Sequence, residues 1–589
     1  MCGIGGLMSR DGETPPTALI DALVPGLAHR GPDGDGFHRS GDVAMMQRRL
    51  AIIDLVTGDQ PIYEPGGAAI VCNGEIYNYI ELRGALPGVA FATQSDCELP
   101  LHLYLRHGLG FAAHLRGMYA LALHDPSSGR LILARDPFGI KPLYYAETAR
   151  HFAFASEPAV LIAAGLVAPR LNPLARSELL QLQFTTGRET IFAGINRVLP
   201  GETIVVRQGR VVERRRLDAL PAGAPLALGE ADALERLDAA LTDSVRVHQR
   251  SDVPFGMFLS GGIDSTAVLA LMARLNERPV KAFTIGFDDA EIADERPAAR
   301  AVAEALGAEH AELGFDENDF WALLPEIAAA VDDPAADYAI LPTYKLAKAA
   351  REAGLKVILS GEGGDELFAG YGRYRSVSRP WWAGGRIPRA RGILDGVGVL
   401  RRDIPGWRDG IAAAEATCAD GGRSRLQVAQ AVDCADWLPN DLLVKLDRCL
   451  MAHGMEGRTP FLDPAVAALA FRLPDSLKIN RGVGKWLLRS WLAARLPESR
   501  PLARKRGFTV PVAKWIARRA RELGPLVARS EAIREICLPS QVERVFTLAA
   551  EKRAGRAAWS LLFYALWHRR HIERREWTPD TIATLAEAA

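Results

Sequence analysis

Short apolar runs crowd the first third of the chain. Residues 43–46, 51–54, 69–72, 119–124, 131–134, 143–145 and 151–155 read as strands bounded by turn formers. The punctuation between them includes Gly31-Pro32-Asp33-Gly34, Glu64-Pro65-Gly66-Gly67 and Asp136-Pro137-Phe138-Gly139. This pattern predicts an antiparallel, hairpin-rich layered domain over residues 2–215, with one helix over 98–107. The stretch D-A-L-P-A-G-A-P-L-A-L-G-E then makes residues 216–230 a linker.

Beyond the linker the period changes. A helix over 231–249 leads to an apolar run at 253–259, a glycine-rich turn and a helix over 266–276. A strand over 280–287, helices over 296–306 and 344–353, and a strand over 356–359 follow. Strands alternating with helices predict a parallel sheet covered on both faces, within a second domain over 231–575. Past about residue 400 the pattern is mainly helical, without clear repeats, and 576–589 reads as a polar tail.

Composition narrows the class. A chain of 589 residues exceeds what one core supports, so two or more domains are expected. Lys+Arg 71 balances Asp+Glu 71, which argues against nucleic acid or an anionic membrane as partner. No apolar run is long enough to span a bilayer, and no signal-type segment precedes Cys2. The seven cysteines are scattered and odd in number, without a C-x-x-C pair, as expected of reduced thiols in a cytoplasmic protein.

Chemistry first shows at Ser260-Gly261-Gly262-Ile263-Asp264-Ser265, where an apolar strand gives way to a helix. Orphan amides and the helix dipole favour an anion there, and Asp264 suits Mg²⁺ between phosphate oxygens. A capped Gly-rich turn reads the same way. The loop is no Walker A motif, since no lysine follows Gly262. A second loop, Ser360-Gly361-Glu362-Gly363-Gly364-Asp365-Glu366, ends another predicted strand and should face the same crevice. It brings Asp365 as a second metal ligand and Glu362 as a candidate base. The later cluster Arg504-Lys505-Arg506 offers a cation for leaving pyrophosphate, though three charges in a row also read as a solvated face.

These two loops, with Lys445-Leu-Asp-Arg-Cys-Leu-Met-Ala-His-Gly-Met-Glu-Gly-Arg-Thr-Pro-Phe-Leu-Asp463, resemble the ATP-pyrophosphatase (PP-loop) domain of glutamine-hydrolysing asparagine synthetases. The resemblance implies an α/β PP-loop fold that uses ATP and Mg²⁺. It assigns pyrophosphate and metal to Ser260, Gly261, Gly262, Asp264 and Ser265, and adenosine to Leu259, Ile285, Ser360 and Gly361. Glu362 becomes the base in ammonia attack, Asp365 the second metal ligand and Lys505 the phosphate-facing cation. Lys445, Asp447 and Arg448 are candidates for acceptor contacts.

The N-terminal strings Cys2-Gly-Ile, His29-Arg-Gly-Pro-Asp-Gly, Arg49-Leu-Ala-Ile-Ile-Asp, Asn73-Gly-Glu-Ile-Tyr-Asn, Ser95-Asp-Cys-Glu and Arg135-Asp-Pro-Phe-Gly resemble class II glutamine amidotransferase domains. That implies a four-layer αββα Ntn-hydrolase fold. Its chemistry is also readable directly. A thiol is partly ionised near neutral pH, and an α-amine titrates low enough to act as its base once Met1 is removed. Asn73 and Gly74 are suited to hold an oxyanion, although Asn-Gly alone reads as a hairpin turn. By the family motif Arg49, directly before Leu50, and not Arg48, is the arginine that would clamp the α-carboxylate of glutamine. Asp96, helped by Glu75, faces its α-ammonium; Leu50, Ile52 and Ile53 complete the pocket by the same resemblance. His29, His38 and Asp33 read as structural, and Cys72 and Cys97 as buried thiols.

The joint expectation is a glutamine-dependent asparagine synthetase, with glutamine, aspartate and ATP as substrates and a homodimer as the family assembly. An amidotransferase for another carboxylate (peptide, osmolyte or polysaccharide) remains open, as does a catalytically inactive paralogue. Gly457 and Thr459 stand where the family more often has β-branched residues, beside the expected acceptor pocket. A β-lactam-forming synthetase lacks the nucleophile, so Cys2 speaks against that reading.

Overall fold

The computed structural model describes residues 2–287, 294–379, 385, 388–419, 421–503 and 510–586. Twelve strands build the first third: β1 (Cys2–Ser9), β2 (Gly34–Ser40), β3 (Val43–Arg49), β4 (Ile62–Tyr63), β5 (Ala69–Ile76) and β6 (Gly117–Asp125), then β7 (Arg130–Arg135), β8 (Tyr144–Glu147), β9 (His151–Ala155), β10 (Asn196–Arg197), β11 (Glu202–Arg207) and β12 (Arg210–Arg216). They form two six-stranded sheets, ordered β10-β8-β9-β1-β3-β2 and β12-β11-β7-β6-β5-β4.

Period-2 side chains explain the layers. Ile4, Met45, Val71, Ala120, Leu133 and Phe154 meet between the sheets. Their strand neighbours turn outward. Leu7, Met46 and Ala153 pack under Leu23, Val160 and Leu179, while Ile70, Leu121 and Ile132 pack under Leu101, Leu103 and Phe111. The result is an αββα stack.

Residues 217–229 carry no regular element, and the helix Glu230–His248 opens the second half. There β13 (Phe255–Phe258), β14 (Lys281–Phe287), β15 (Glu309–Phe315), β16 (Val357–Leu359) and β17 (Glu456–Arg458) form a parallel sheet ordered β15-β14-β13-β16-β17. The strands β15 (EHAELGF) and β17 (EGR) lie at its edges and are too polar or too short for a period to reveal them. Downstream of residue 400 the structure is mainly helical.

Two expectations need correction. Residues 51–54 form no strand, because their amides and carbonyls bond to side chains and to the other half of the chain. Ala51 N donates to Asp33 Oδ2 at 2.9 Å, Asp252 N donates to Ile52 O at 3.0 Å, and Asp54 N donates to Asp252 Oδ2 at 2.8 Å. Asn73-Gly74, which standing alone would read as a turn, lies in the interior of β5, paired with Ala120 and Tyr119. Residues 576–586 of the expected tail are not simply a tail. Thr581–Ala586 is helical, and Thr581 Oγ1 donates to Trp321 O at 2.7 Å from a buried position.

Candidate active sites

The first site grows from one cross-strand pair. Cys2 at the start of β1 lies opposite Arg49 at the end of β3, and Asn73 comes from β5 in the facing sheet. Cys2 N donates to Asn73 Oδ1 at 3.0 Å. The amide nitrogen Asn73 Nδ2 is fully buried and donates to no described group. A buried donor without an acceptor is costly, about 1–3 kcal/mol, and invites a ligand oxygen. Gly74 is required by packing. A Cβ there would lie 2.2 Å from Met118 O and 2.6 Å from Tyr119 Cα.

Burial raises the Cys2 thiol, opposed by the Leu50 amide and the Arg49 charge. Gln47 Nε2 donates to Cys2 Sγ at 2.9 Å. Sequence reading passed over Gln47. Its only signal is position, two residues before Arg49 and therefore on the same face of β3.

Asp96 is buried and accepts from Ile76 N at 2.7 Å. Glu75 Oε2 lies 3.3 Å from Arg458 Nη2 of the other half of the molecule. Burial, with Glu456 nearby, holds its carboxyl well above the ordinary range. Arg48 faces away, donating to Gly31 O and Asp35. Leu50, Ile52 and Ile53 are buried in a core shared with the second half. Cys72 and Cys97 are buried free thiols, and Asp33 pairs with Lys356 at 2.7 Å.

The second site lies at the carboxyl ends of β13, β14 and β16, and Leu259, Ile285 and Ser360 are buried there. The helix Ile263–Leu275 begins earlier than its pattern suggests, which puts Asp264 and Ser265 in the first turn. Ser260 Oγ and Ser265 Oγ are 3.0 Å apart, and Gly262 N donates to Ser260 Oγ at 3.3 Å. The two loops pack closely. A Cβ on Gly364 would lie 2.5 Å from Asp264 Oδ1, and one on Gly361 2.9 Å from Asp264 Cβ.

A cation that the sequence did not advertise sits between the two carboxylates. Lys485 Nζ pairs with Asp264 and lies 2.6 Å from Asp365 Oδ1, its side chain 3% exposed. These two carboxylates raise its pKa against the opposing effect of burial. Lys505 lies outside the described residues. Arg489 Nη1 donates to the carbonyls of Pro501 and Ala503, at the edge of that segment. The donor set fits magnesium, which takes one or two carboxylates plus phosphate oxygens; among the described residues no group of three His, Cys, Asp or Glu side chains does so alone.

Glu362 belongs to the second loop, its side chain 28% exposed and 4.0 Å from Lys445 Nζ. Burial raises its pKa and Lys445 opposes the shift. Lys445 also pairs with Asp337 at 2.9 Å, and buried Asp441 accepts from Trp437 Nε1 at 2.7 Å. Asp447 and Arg448, expected near the acceptor, are instead committed to a buried ion network. Arg448 Nε donates to Asp332 Oδ1 at 2.8 Å, and Arg30 donates to both Asp447 oxygens. Gly457 departs from the family for packing reasons. A Cβ there would meet Leu450 Cδ1 at 2.7 Å, so two leucines of the helix Leu443–Met451 fill the missing volume.

A family model described as asparagine synthase matches residues 236–569, and one described as glutamine amidotransferase domain matches residues 1–216. The chain belongs to the asparagine synthase family. The chain is similar to a putative asparagine synthetase [glutamine-hydrolyzing] of Mycobacterium tuberculosis, 36% identical over 609 residues and 93% of each chain. It is similar to asparagine synthetase [glutamine-hydrolyzing] 1 of Bacillus subtilis, 32% identical over 627 residues and 98% of each chain. Amidase chry2 of Gibberella zeae is 32% identical over 413 residues, 64% of this chain and 61% of that one. Membership makes the protein an ATP-dependent carbon–nitrogen ligase that takes its nitrogen from glutamine. No helix of the described residues is long and apolar enough to cross a membrane.

Proposed function

We propose that the enzyme converts aspartate to asparagine, with glutamine as nitrogen donor and AMP, pyrophosphate and glutamate as by-products. For the glutaminase half the observation that carries this reading is the unsatisfied Asn73 Nδ2, on the side chain whose Oδ1 accepts from Cys2 N at 3.0 Å. It supports a carbonyl oxygen that acquires charge at that spot.

With Met1 removed, the Cys2 amine takes the thiol proton and sulfur attacks the glutamine carboxamide. Asn73 Nδ2 and the Gly74 amide hold the oxyanion, while Arg49 and Asp96 hold the α-carboxylate and α-ammonium. The Cys2 amine passes the thiol proton to the leaving nitrogen, ammonia departs, and water hydrolyses the glutamyl thioester to glutamate and the free thiol. Free ammonia is mostly protonated at neutral pH, so transfer within the chain favours its use as a nucleophile.

In the second half the β-carboxylate of aspartate displaces pyrophosphate from ATP and forms β-aspartyl-AMP. Asp264 and Asp365 would hold Mg²⁺, which when bound neutralises phosphate charge. Lys485 faces the same phosphates. Ammonia attacks the acyl carbon, Glu362 accepts its proton, and AMP departs. A lysine among Asp337, Asp441 and Glu362 supports an acceptor that carries both a carboxylate and an ammonium group. The deciding experiment supplies glutamine, ATP, Mg²⁺ and one carboxylate at a time, and follows pyrophosphate. Aspartate should elicit it; release only with another carboxylate would reassign the acceptor.

A further inference from the structure

Arg49 already holds a carboxylate. Its Nη1 donates to Asp59 Oδ1 at 2.7 Å, and its Nη2 donates to Asp54 O at 2.5 Å. The arginine side chain is 10% exposed and that of Asp59 is 83% exposed. Among the described residues the Asp59 carboxylate pairs with Arg49 alone.

The segment carrying Asp59 is pinned on both sides. The Asp54 carboxylate accepts from Thr57 N and Gln94 N, each at 2.8 Å, and its own amide donates to Asp252 across the domain seam. On the far side Gln60 Oε1 accepts from Cys72 N at 2.6 Å, one residue before the oxyanion donor. The fold therefore presents a carboxylate to the guanidinium from an anchored segment, not from a drifting loop.

The geometry points to Asp59 as a built-in stand-in for the α-carboxylate of glutamine. It keeps Arg49 aimed at the thiol's side of the sheet and must be displaced for glutamine to bind. This inference rests on the reading of Arg49 as the glutamine clamp. Displacement precedes chemistry and is the same for the bound substrate and the transition state, so it acts on KM and not on kcat. With its carboxylate exposed to water this ion pair is weak, which limits the effect to about two- to fivefold.

The test is steady-state glutaminase kinetics on the full-length enzyme. Asp59→Ala should lower KM for glutamine about two- to fivefold with kcat unchanged. Asp59→Asn keeps an acceptor oxygen without the charge and should fall between. An unchanged or raised KM in Asp59→Ala overturns the inference and leaves Asp59 a support for the loop. Ammonia-dependent synthesis equal to that of the parent shows that each variant is folded. Arg49→Lys separates the two readings. If its KM stays at the parental value, the clamp itself fails; if it rises while Asp59→Ala is silent, only the stand-in fails.

Discussion

Arg30 and Asp447, 417 positions apart in the chain, form a two-pronged ion pair at 2.8 and 3.0 Å with both side chains buried. The same guanidinium donates through Nε to the Cys2 carbonyl at 3.3 Å, and through Nη1 to Glu157 at 2.8 Å. Asp447 lies two residues after Lys445 on the helix Leu443–Met451, and Lys445 reaches toward Glu362. One buried arginine thus braces the nucleophile against the helix that carries the acceptor-side lysine.

Removing one partner of a buried pair leaves an uncompensated charge. Arg30→Met should cost about 3–5 kcal/mol of stability, seen as a lower midpoint in denaturant unfolding. The double variant Arg30→Met with Asp447→Leu should recover part of that loss. Equal midpoints for the single variant and parent would mean the pair contributes nothing.

Cys2→Ala should abolish glutamine-dependent synthesis while synthesis from ammonium salts survives. Loss of both activities would break the two-site account. Intact-mass measurement supplies the companion observation: a preparation that retains Met1 should lack glutaminase activity, because the α-amine is then acylated.

Asn73→Ala should lower glutaminase kcat on the order of 10²–10³-fold, the usual effect of losing one oxyanion donor. Ammonia-dependent turnover should be unaffected. A change confined to KM would make Asn73 a binding residue.

Asp264→Asn should stop pyrophosphate release and leave basal glutaminase intact. Lys485→Met should do the same, since it leaves Asp264 and Asp365 without their shared cation. Undiminished pyrophosphate release in Asp264→Asn would remove the metal assignment.

His248 gives the fold an acid limb. Its imidazole is buried against Tyr77, with ring centroids 4.0 Å apart, and burial lowers its pKa to about 3. The unfolded chain, titrating at the ordinary value, binds the proton more readily. The group's stabilising contribution is therefore complete above pH 6.5 and is lost as pH falls toward 3. Between pH 7.5 and 5 the loss should be about 2 kcal/mol. His248→Gln should flatten this limb in urea titrations at the two pH values; parallel losses in parent and variant would clear His248.

The amino-acid sequence by itself determined the parts whose chemistry is contiguous. Cys2 stands at its strand start, Asn73-Gly74 come as a pair, and both glycine-rich loops follow apolar runs that become β13 and β16. Local period and local composition suffice there, because strand, turn and anion site are consecutive residues. Tertiary structure alone decided which distant groups meet. Lys485 is 221 positions from Asp264, Gln47 reaches Cys2 only through strand register, and Glu75 turns to Arg458 because the two halves are pressed together. Asp447 and Arg448 sit in the expected motif and pair within a buried ion network. Such pairings depend on burial and on which charge needs a partner inside the seam. Those are properties of the packed molecule, and no periodicity along the chain encodes them.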